Sequence, residues 1–420
     1  MSEKQKALLI AAYRGAKELP TCEEHLEELA LLVDTFGIDT AAKFACPLRK
    51  IDASTYFGKG KLEALVDVAR TDNIDIIVID EEINPSQQRN LERVFGRTVL
   101  DRTEVILGVF GQRARTREAR LQIELAEVKY QIPRLKRLWT HLSRQAGTVG
   151  GGGAYLKGEG EKQIELDRRI LDKKLDQLKK EIEVVESQRA TQRGSRQRSG
   201  IPTFAIIGYT NAGKSTLLNA LTNAGVFTED KLFATLDTTT RRFVLQNNQE
   251  VLLIDTVGFI RKLPHLLVAA FKSTLEEALH ADILIHLIDA SHPMAEEQAK
   301  TTFEVLKELN AEQKPIITVF NKIDKEEAKS NAMRLRLVYP KSVALSATQK
   351  IGFDHLEEAI VQEIKNQRTQ VKLRIPQSDY AIVSEIIRLG KILHQDYIDD
   401  LIEIRAEIPL FLSHKLQKYQ

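Results

Sequence analysis

The octapeptide Gly208-Tyr209-Thr210-Asn211-Ala212-Gly213-Lys214-Ser215 constrains this chain more than any other feature. It matches G-x-x-x-x-G-K-[ST] and stands between an apolar run, Phe204 to Ile207, and the helix-forming stretch Thr216 to Leu221. A strand, a glycine-containing turn and a helix form the context in which this pattern grips phosphate. The glycines let backbone N–H groups turn inward as an anion nest, and the helix N-terminus adds partial positive charge. Lys214 is expected to reach the β- and γ-phosphates, and the Ser215 hydroxyl to ligand Mg²⁺. The sheet such a unit needs is legible in the compact apolar runs Thr203 to Ile207, Val251 to Ile254, Ile283 to Ile288 and Ile316 to Phe320, with helical segments between them. Together they predict a doubly wound, mostly parallel α/β sheet.

A phosphate loop does not choose a base. Asn321-Lys322-Ile323-Asp324, directly after Ile316 to Phe320, does. A carboxylate at Asp324 accepts from guanine N1–H and the exocyclic amine, whereas adenine has no N1 proton and leaves that carboxylate desolvated and unpaired. Lys322 is expected to lie along the base and Asn321 to brace the loops. Ser346-Ala347 follows Val343 to Leu345, where a backbone N–H can meet guanine O6. Asp255-Thr256-Val257-Gly258 ends the run Val251 to Ile254, placing Asp255 to hold Mg²⁺ through water and the Gly258 N–H to sense a γ-phosphate. Leu236 to Arg242 (LDTTTRR) is the candidate first switch, with Thr240, or failing it Thr239, as the second Mg²⁺ ligand. Thr216, Thr256 and Val257 complete the expected GTP contacts, and the catalytic roles fall to Lys214, Thr240 and Gly258. Phe259 follows DTVG where many such domains carry a water-orienting glutamine. A phenyl ring cannot orient water by hydrogen bonding, so intrinsic hydrolysis is expected to be slow. Asn211 is a candidate to hold K⁺ near the phosphates.

The chain has 420 residues, about three domains' worth, and its 61 basic and 59 acidic residues leave a net charge of +2. Only the distribution of charge can therefore point to a polyanion. Two cysteines, Cys22 and Cys46, exclude a disulfide scaffold and a cysteine-rich zinc module. The N-terminal stretch is not read as a secretory signal, and no apolar run approaches a membrane span. A cytoplasmic monomer is expected, with peripheral membrane association left open. Composition divides the chain into a small α/β domain (1–112), a helical hairpin (113–199), the phosphate-loop domain (200–367) and an α+β C-terminal domain (368–420). In the hairpin, Leu121, Leu125, Val128, Ile132, Leu135, Trp139 and Leu142 keep heptad spacing. Ile164, Leu171, Leu175, Leu178, Ile182 and Val185 resume it after a glycine-rich interruption. Pro133 is expected to kink the first helix.

Between Arg113 and Arg144 there are nine basic residues against three acids, an excess that suits contact with a phosphate backbone. Arg134, Arg137, Arg144 and the tip glycines Gly150, Gly151, Gly152 and Gly153 are the RNA-contacting candidates. The bland alternatives are a solvated helix face and a flexible turn. His286 and Trp139 read as core residues, and Gly58-Lys59-Gly60-Lys61 as a strand-to-helix connection.

Several longer strings carry a family resemblance. YFGKGK (Tyr56 to Lys61), SQQRNLE (Ser86 to Glu92), DRTEVIL (Asp101 to Leu107), QRARTREARLQIELA (Gln112 to Ala126), GEGEKQIELDRR (Gly158 to Arg169), FATLDTTTRR (Phe233 to Arg242) and DTVGFIRKLPHLLVAAFKSTLEEA (Asp255 to Ala278) resemble the signature of HflX-type GTPases. The resemblance covers essentially the whole chain. It implies a ribosome-associated GTPase that binds the large subunit and splits stalled ribosomes, with the hairpin tip approaching the peptidyl transferase centre in ribosomal RNA. It also implies an ATP-hydrolysing activity of the N-terminal part in some members, for which no site is legible here. Two departures stand out: Thr238 where the family often has proline, and a tip reading GGGGAYLKGEGEKQ. The rival reading is an RNA-binding or remodelling module that works independently of nucleotide.

Overall fold

The structure is a computed structural model. It describes residues 4–135, 156–198, 200–222, 231–264, 267, 280–398 and 400–420, without the side chains of 156–164, 189–198, 411 and 414. The chain folds into two units whose segments interleave. Unit 1 comprises Met1–Val185, Phe227–Asp237 and Val257–Leu275, and unit 2 the segments Glu186–Val226, Thr238–Thr256 and Glu276–Gln420.

Unit 1 is built on a four-stranded parallel sheet of β1 (Lys6–Tyr13), β2 (Asp39–Pro47), β3 (Ile76–Ile79) and β4 (Thr98–Asp101), in the order β2-β1-β3-β4. Every residue of β3 is buried, as expected of a central parallel strand covered on both faces. Its helices are α1 (Leu19–Phe36), α2 (Lys59–Thr71), α3 (Pro85–Phe95) and α4 (Arg102–Arg113). Asn84 and Gln87 start α3 with a reciprocal capping box behind Pro85, and Gly96 ends it at φ +64°. The N-terminal stretch contains β1. Its residues Ala7–Ala11 are fully or almost fully buried.

From Arg117 the heptads form α5 (Arg117–Gln131), and the returning chain forms α6 (Leu156–Arg198). Leu121, Leu125, Val128 and Leu178 make their shared seam, flanked by Ile132, Leu171, Leu175, Ile182 and Val185. Lys174 reaches Glu124 at 2.6 Å and Arg117 reaches Glu181 at 3.1 Å across it. At Pro133 the helix changes: α5 stops at Gln131 and tightens into a 3-10 turn, Ile132–Arg134. Trp139, Leu142, Arg137, Arg144 and Gly150 to Gly153 lie outside the described residues.

Unit 2 carries a six-stranded sheet, β10-β9-β8-β5-β7-β6, parallel except for β6. Its strands are β5 (Thr203–Gly208), β6 (Thr239–Val244), β7 (Glu250–Asp255), β8 (Ile283–Asp289), β9 (Ile316–Asn321) and β10 (Ser342–Ala344). Around it stand α7 (Lys214–Thr222), α8 (Ala295–Glu308), α9 (Glu326–Val338) and α10 (Phe353–Asn366). At its end β11 (Arg368–Pro376), β12 (Lys391–Ile398) and β13 (Leu401–Pro409) form a separate antiparallel sheet in the order β11-β13-β12. Val371, Leu373 and Ile375 alternate inward against α11 (Tyr380–Leu389), so that only one face of this sheet is covered.

His286 lies inside β8, 1% exposed, with its ring edge-on to Phe303 at 4.9 Å. Burial pushes its pKa down to about 3. The folded chain therefore holds it neutral while the unfolded chain protonates it below about pH 6.5. Stability is expected to decline as pH falls from about 6.5 toward 5, above the range where most carboxylates titrate. His286→Leu should flatten this limb in urea titrations at a series of pH values, and an unchanged slope would contradict the assignment.

Candidate nucleotide site

Three turns at the carboxyl ends of β5, β7 and β9 build the site, the edge of a doubly wound sheet where ligands bind. The chain leaves β5 at Gly208, whose φ is +151°, and a Cβ there would stand 2.2 Å from the Leu287 carbonyl oxygen. Only glycine lets the loop pass β8 this closely. Asn211 (φ +59°) and Gly213 (φ +92°) curl the loop. A Cβ on Gly213 would fall 2.4 Å from Asn321 Nδ2. Tyr209, Thr210 and Ala212 are buried, and Thr216 lies in the first turn of α7.

Lys214 is 7% exposed and folds back to donate to the carbonyls of Tyr209 (2.7 Å) and Gly208 (3.2 Å). Burial lowers its pKa to about 8, opposed by Asp255 and reinforced by Lys322. An ammonium held on neutral carbonyls at the rim of an anion-binding turn is a group poised for phosphate. Next to it Ser215 Oγ donates to Asp255 Oδ2 at 2.6 Å, and Asp255 is fully buried at the end of β7. A hydroxyl and a carboxylate on one spot form the hard-oxygen donor set that Mg²⁺ prefers, so these residues fit that ion. Thr256 is not free for a ligand, because its hydroxyl donates to the Ile206 carbonyl at 2.7 Å.

Asn321 ties two of the turns together. Its Nδ2 donates to the Ala212 carbonyl (2.8 Å) and its Oδ1 accepts from the Ala347 N–H (3.0 Å). The Ser346 N–H is also used, on the Ile351 carbonyl at 3.0 Å. The Ala347 N–H, the candidate for guanine O6, thus rests on the Asn321 carboxamide. Lys322 (φ +63°) pairs with Asp289 Oδ2 at 2.7 Å, a partner that only the register of β8 beside β9 reveals. Asp324 is exposed on the turn that follows.

Thr240 stands opposite Ile254 in the β6–β7 ladder, whereas Thr239 stands opposite Asp255. Directly paired residues share a face of the sheet, so Thr239 shares the face of Asp255 and Thr240 takes the other one. This register favours Thr239, the second choice from sequence, over Thr240.

Val257 and Gly258 belong to a segment of unit 1, in which Phe259 and Ile260 are buried. At Arg261, the next residue, that segment enters an ion cluster that the sequence did not reveal. Asp80, at the end of β3, is 1% exposed and accepts from Arg102 at 2.9 Å and from Arg261. Glu28 on α1 binds both guanidiniums, and Lys262 donates to Glu81 and to the Asp80 carbonyl. Burial pushes the Asp80 carboxyl up, but Arg102, Arg261 and Lys262 outweigh it and hold the group below the usual carboxylate range. The sheet order places β1 and β3 at the topological switch point, the customary ligand crevice of an α/β fold. Here the carboxylates around that position hold cations from the chain itself.

Arg134 departs from its expected place on an RNA-facing surface. It is 6% exposed and donates to Gln88, Ile83, Tyr130 and Asp101, with its guanidinium 3.6 Å over the Tyr130 ring. Its donors brace the base of the hairpin against β4 and are not available to RNA.

A parallel sheet carrying a phosphate loop, a buried carboxylate behind the loop serine and an Asn-Lys-x-Asp turn two strands away defines a P-loop GTPase, a class that uses Mg²⁺. Family models agree along the chain: GTP-binding GTPase N-terminal over residues 23–111, GTP-binding GTPase Middle Region over 113–196 and 50S ribosome-binding GTPase over 203–322. The chain is 48% identical to GTPase HflX of Chlamydia pneumoniae over 99% of its length and 88% of that protein's. It is 39% identical to GTPase HflX of Escherichia coli K12 over 94% and 92%. Among solved structures, a GTP-binding protein from Sulfolobus solfataricus in complex with GDP is 26% identical, with a TM-score of 0.44 over 85% of this chain and 98% of that one. The chain belongs to the HflX family of GTPases.

Proposed function

We propose that this GTPase is a nucleotide-dependent switch that binds the large ribosomal subunit in the cytoplasm and splits or rescues stalled ribosomes. One observation carries the reading. The chain passes from unit 1 to unit 2 between Asp237 and Thr238, and back between Thr256 and Val257. Each passage lies two residues from a γ-phosphate sensor, Thr239 or Gly258. Contacts made or lost at the third phosphate therefore pull directly on segments folded with the helical hairpin. The match of residues 203–322 to a 50S ribosome-binding GTPase model supports the partner, and the basic residues of the hairpin support contact with its RNA. Arg137, Arg144 and Gly150 to Gly153 remain the proposed RNA contacts.

In the loaded site Lys214 would leave its loop carbonyls for the β- and γ-phosphates. Ser215 and Thr239, with Asp255 through water, would hold Mg²⁺. The bound ion neutralises charge that develops on the phosphate oxygens. Thr239→Ala is expected to slow single-turnover GTP hydrolysis about a hundredfold, and Thr240→Ala severalfold less. The reverse order would restore Thr240 to the role. Asn211 is proposed to hold K⁺ beside the phosphates, in place of the orienting group that Phe259 lacks. Hydrolysis in K⁺ is then expected to exceed hydrolysis in Na⁺ at equal ionic strength, and equal rates would remove the ion.

The test of the switch is cosedimentation of the full chain with purified large subunits. Binding should be stronger with a non-hydrolysable GTP analogue than with GDP. Equal binding would defeat the switch and favour a nucleotide-independent RNA-binding module.

A further inference from the structure

We propose that Asp237 is a positioning residue for GTP hydrolysis, holding the first switch on the N-terminus of the hairpin's first helix. The proposal rests on the reading of Thr239 as the switch threonine. Within unit 1 the Asp237 carboxylate is spread over the elbow between α4 and α5. Its Oδ2 accepts from the backbone N–H groups of Arg115 (3.1 Å) and Thr116 (3.2 Å). Its Oδ1 accepts from the Thr116 hydroxyl at 2.5 Å. Thr116 is itself the N-cap of α5, accepting from the Ala119 N–H at 3.2 Å. One carboxylate thus joins a loop to the N-cap residue of a 15-residue helix and the residue before it, at the end where the helix dipole favours negative charge.

A second anchor lies four residues earlier. Phe233, at φ +54° and 2% exposed, sets its ring edge-on to Phe110 of α4 at 4.5 Å. Leu232 and Leu236 are buried on either side of it. The segment from Leu232 to Asp237 is therefore fixed at both ends, and two residues on Thr239 starts β6. Only Thr238 separates the anchor from the threonine. Release of Asp237 leaves Thr239 held from its strand side alone. Movement of α5 reaches the same threonine through the bonds to Asp237. The hydroxyl of Thr116 has two tasks, capping the helix and gripping the switch, and so a serine serves and a valine does not.

The test compares Asp237→Ala, Thr116→Val, Thr116→Ser and the Asp237→Ala/Thr116→Val double variant in the full chain. Asp237→Ala and Thr116→Val are each expected to lower single-turnover hydrolysis of GTP at least about fivefold, with GDP affinity unchanged within about twofold, because GDP does not engage the first switch. The double variant should lose no more than the worse single variant, and Thr116→Ser should retain the parental rate. Multiplying losses, a parallel fall in GDP affinity, or parental rates in both single variants would each overturn the proposal. Thr239→Ala separates the two readings. If it slows hydrolysis while Asp237→Ala does not, the anchor fails; if it does not, the assignment of Thr239 fails.

Discussion

Asp324→Asn should lower the affinity for GTP about a thousandfold and raise that for xanthosine triphosphate to a similar degree. The carboxylate makes two charge-assisted bonds to guanine, each worth about 1.5–3 kcal/mol, and an amide in its place aims a donor at the guanine amine. Xanthine presents a carbonyl there and restores the match. Asp324 is exposed on its turn, and the bracing of the loops rests on Asn321, so the fold should be intact. Competition of xanthosine and guanosine triphosphates against a fluorescent guanine nucleotide checks the exchange. Unaltered preference would mean that the base is read elsewhere.

The second large effect is on stability. Asp80→Ala removes one of the two carboxylates, Asp80 and Glu28, that the guanidiniums of Arg102 and Arg261 share, both of them under 10% exposed. Breaking a buried ion cluster from one side costs about 3–5 kcal/mol, because the remaining charges keep their desolvation penalty. The sign with pH is fixed by the direction of the shift. A carboxyl held below its unfolded value stabilises the fold above about pH 4 and loses that contribution as pH falls through its folded value. In urea unfolding, followed by hydrogen exchange so that unit 1 is read separately, the variant should lose this margin at pH 7 and converge on the parent in acid. A loss below about 1 kcal/mol at pH 7 would contradict the account. Because Arg261 and Lys262 follow Gly258 by three and four residues, the amides of Val257 to Lys262 should exchange faster in the same variant.

What could be read in advance was what is local. The phosphate loop, the Asn-Lys-x-Asp turn and the apolar runs of β5, β7, β8 and β9 are each written in fewer than ten consecutive residues. The heptads of α5 and α6 were legible for the same reason. β1 was not, because KALLIAAY follows a charged stretch and only the strands on either side of it make it central. β2 was missed because a half-exposed edge strand, DTAAKFACP, has small residues and weak alternation.

Long-range pairings were the other blind spot. Asp80 and Arg261 are 181 positions apart, and Asp237 and Thr116 are 121. Arg134 counted as part of a basic surface, because sequence records its charge and not the four acceptors around it. The choice between Thr239 and Thr240 depended on a strand register, and a shift of one residue turns a side chain to the opposite face.

The central claim is that main-chain turns and Lys214 hold a triphosphate while Asp324 selects its purine. Calorimetric titration of the full chain with GTP and with ATP, in Mg²⁺, tests this most directly. GTP should bind at least about a thousandfold more tightly than ATP. Tight ATP binding with negligible uptake of GTP would contradict it.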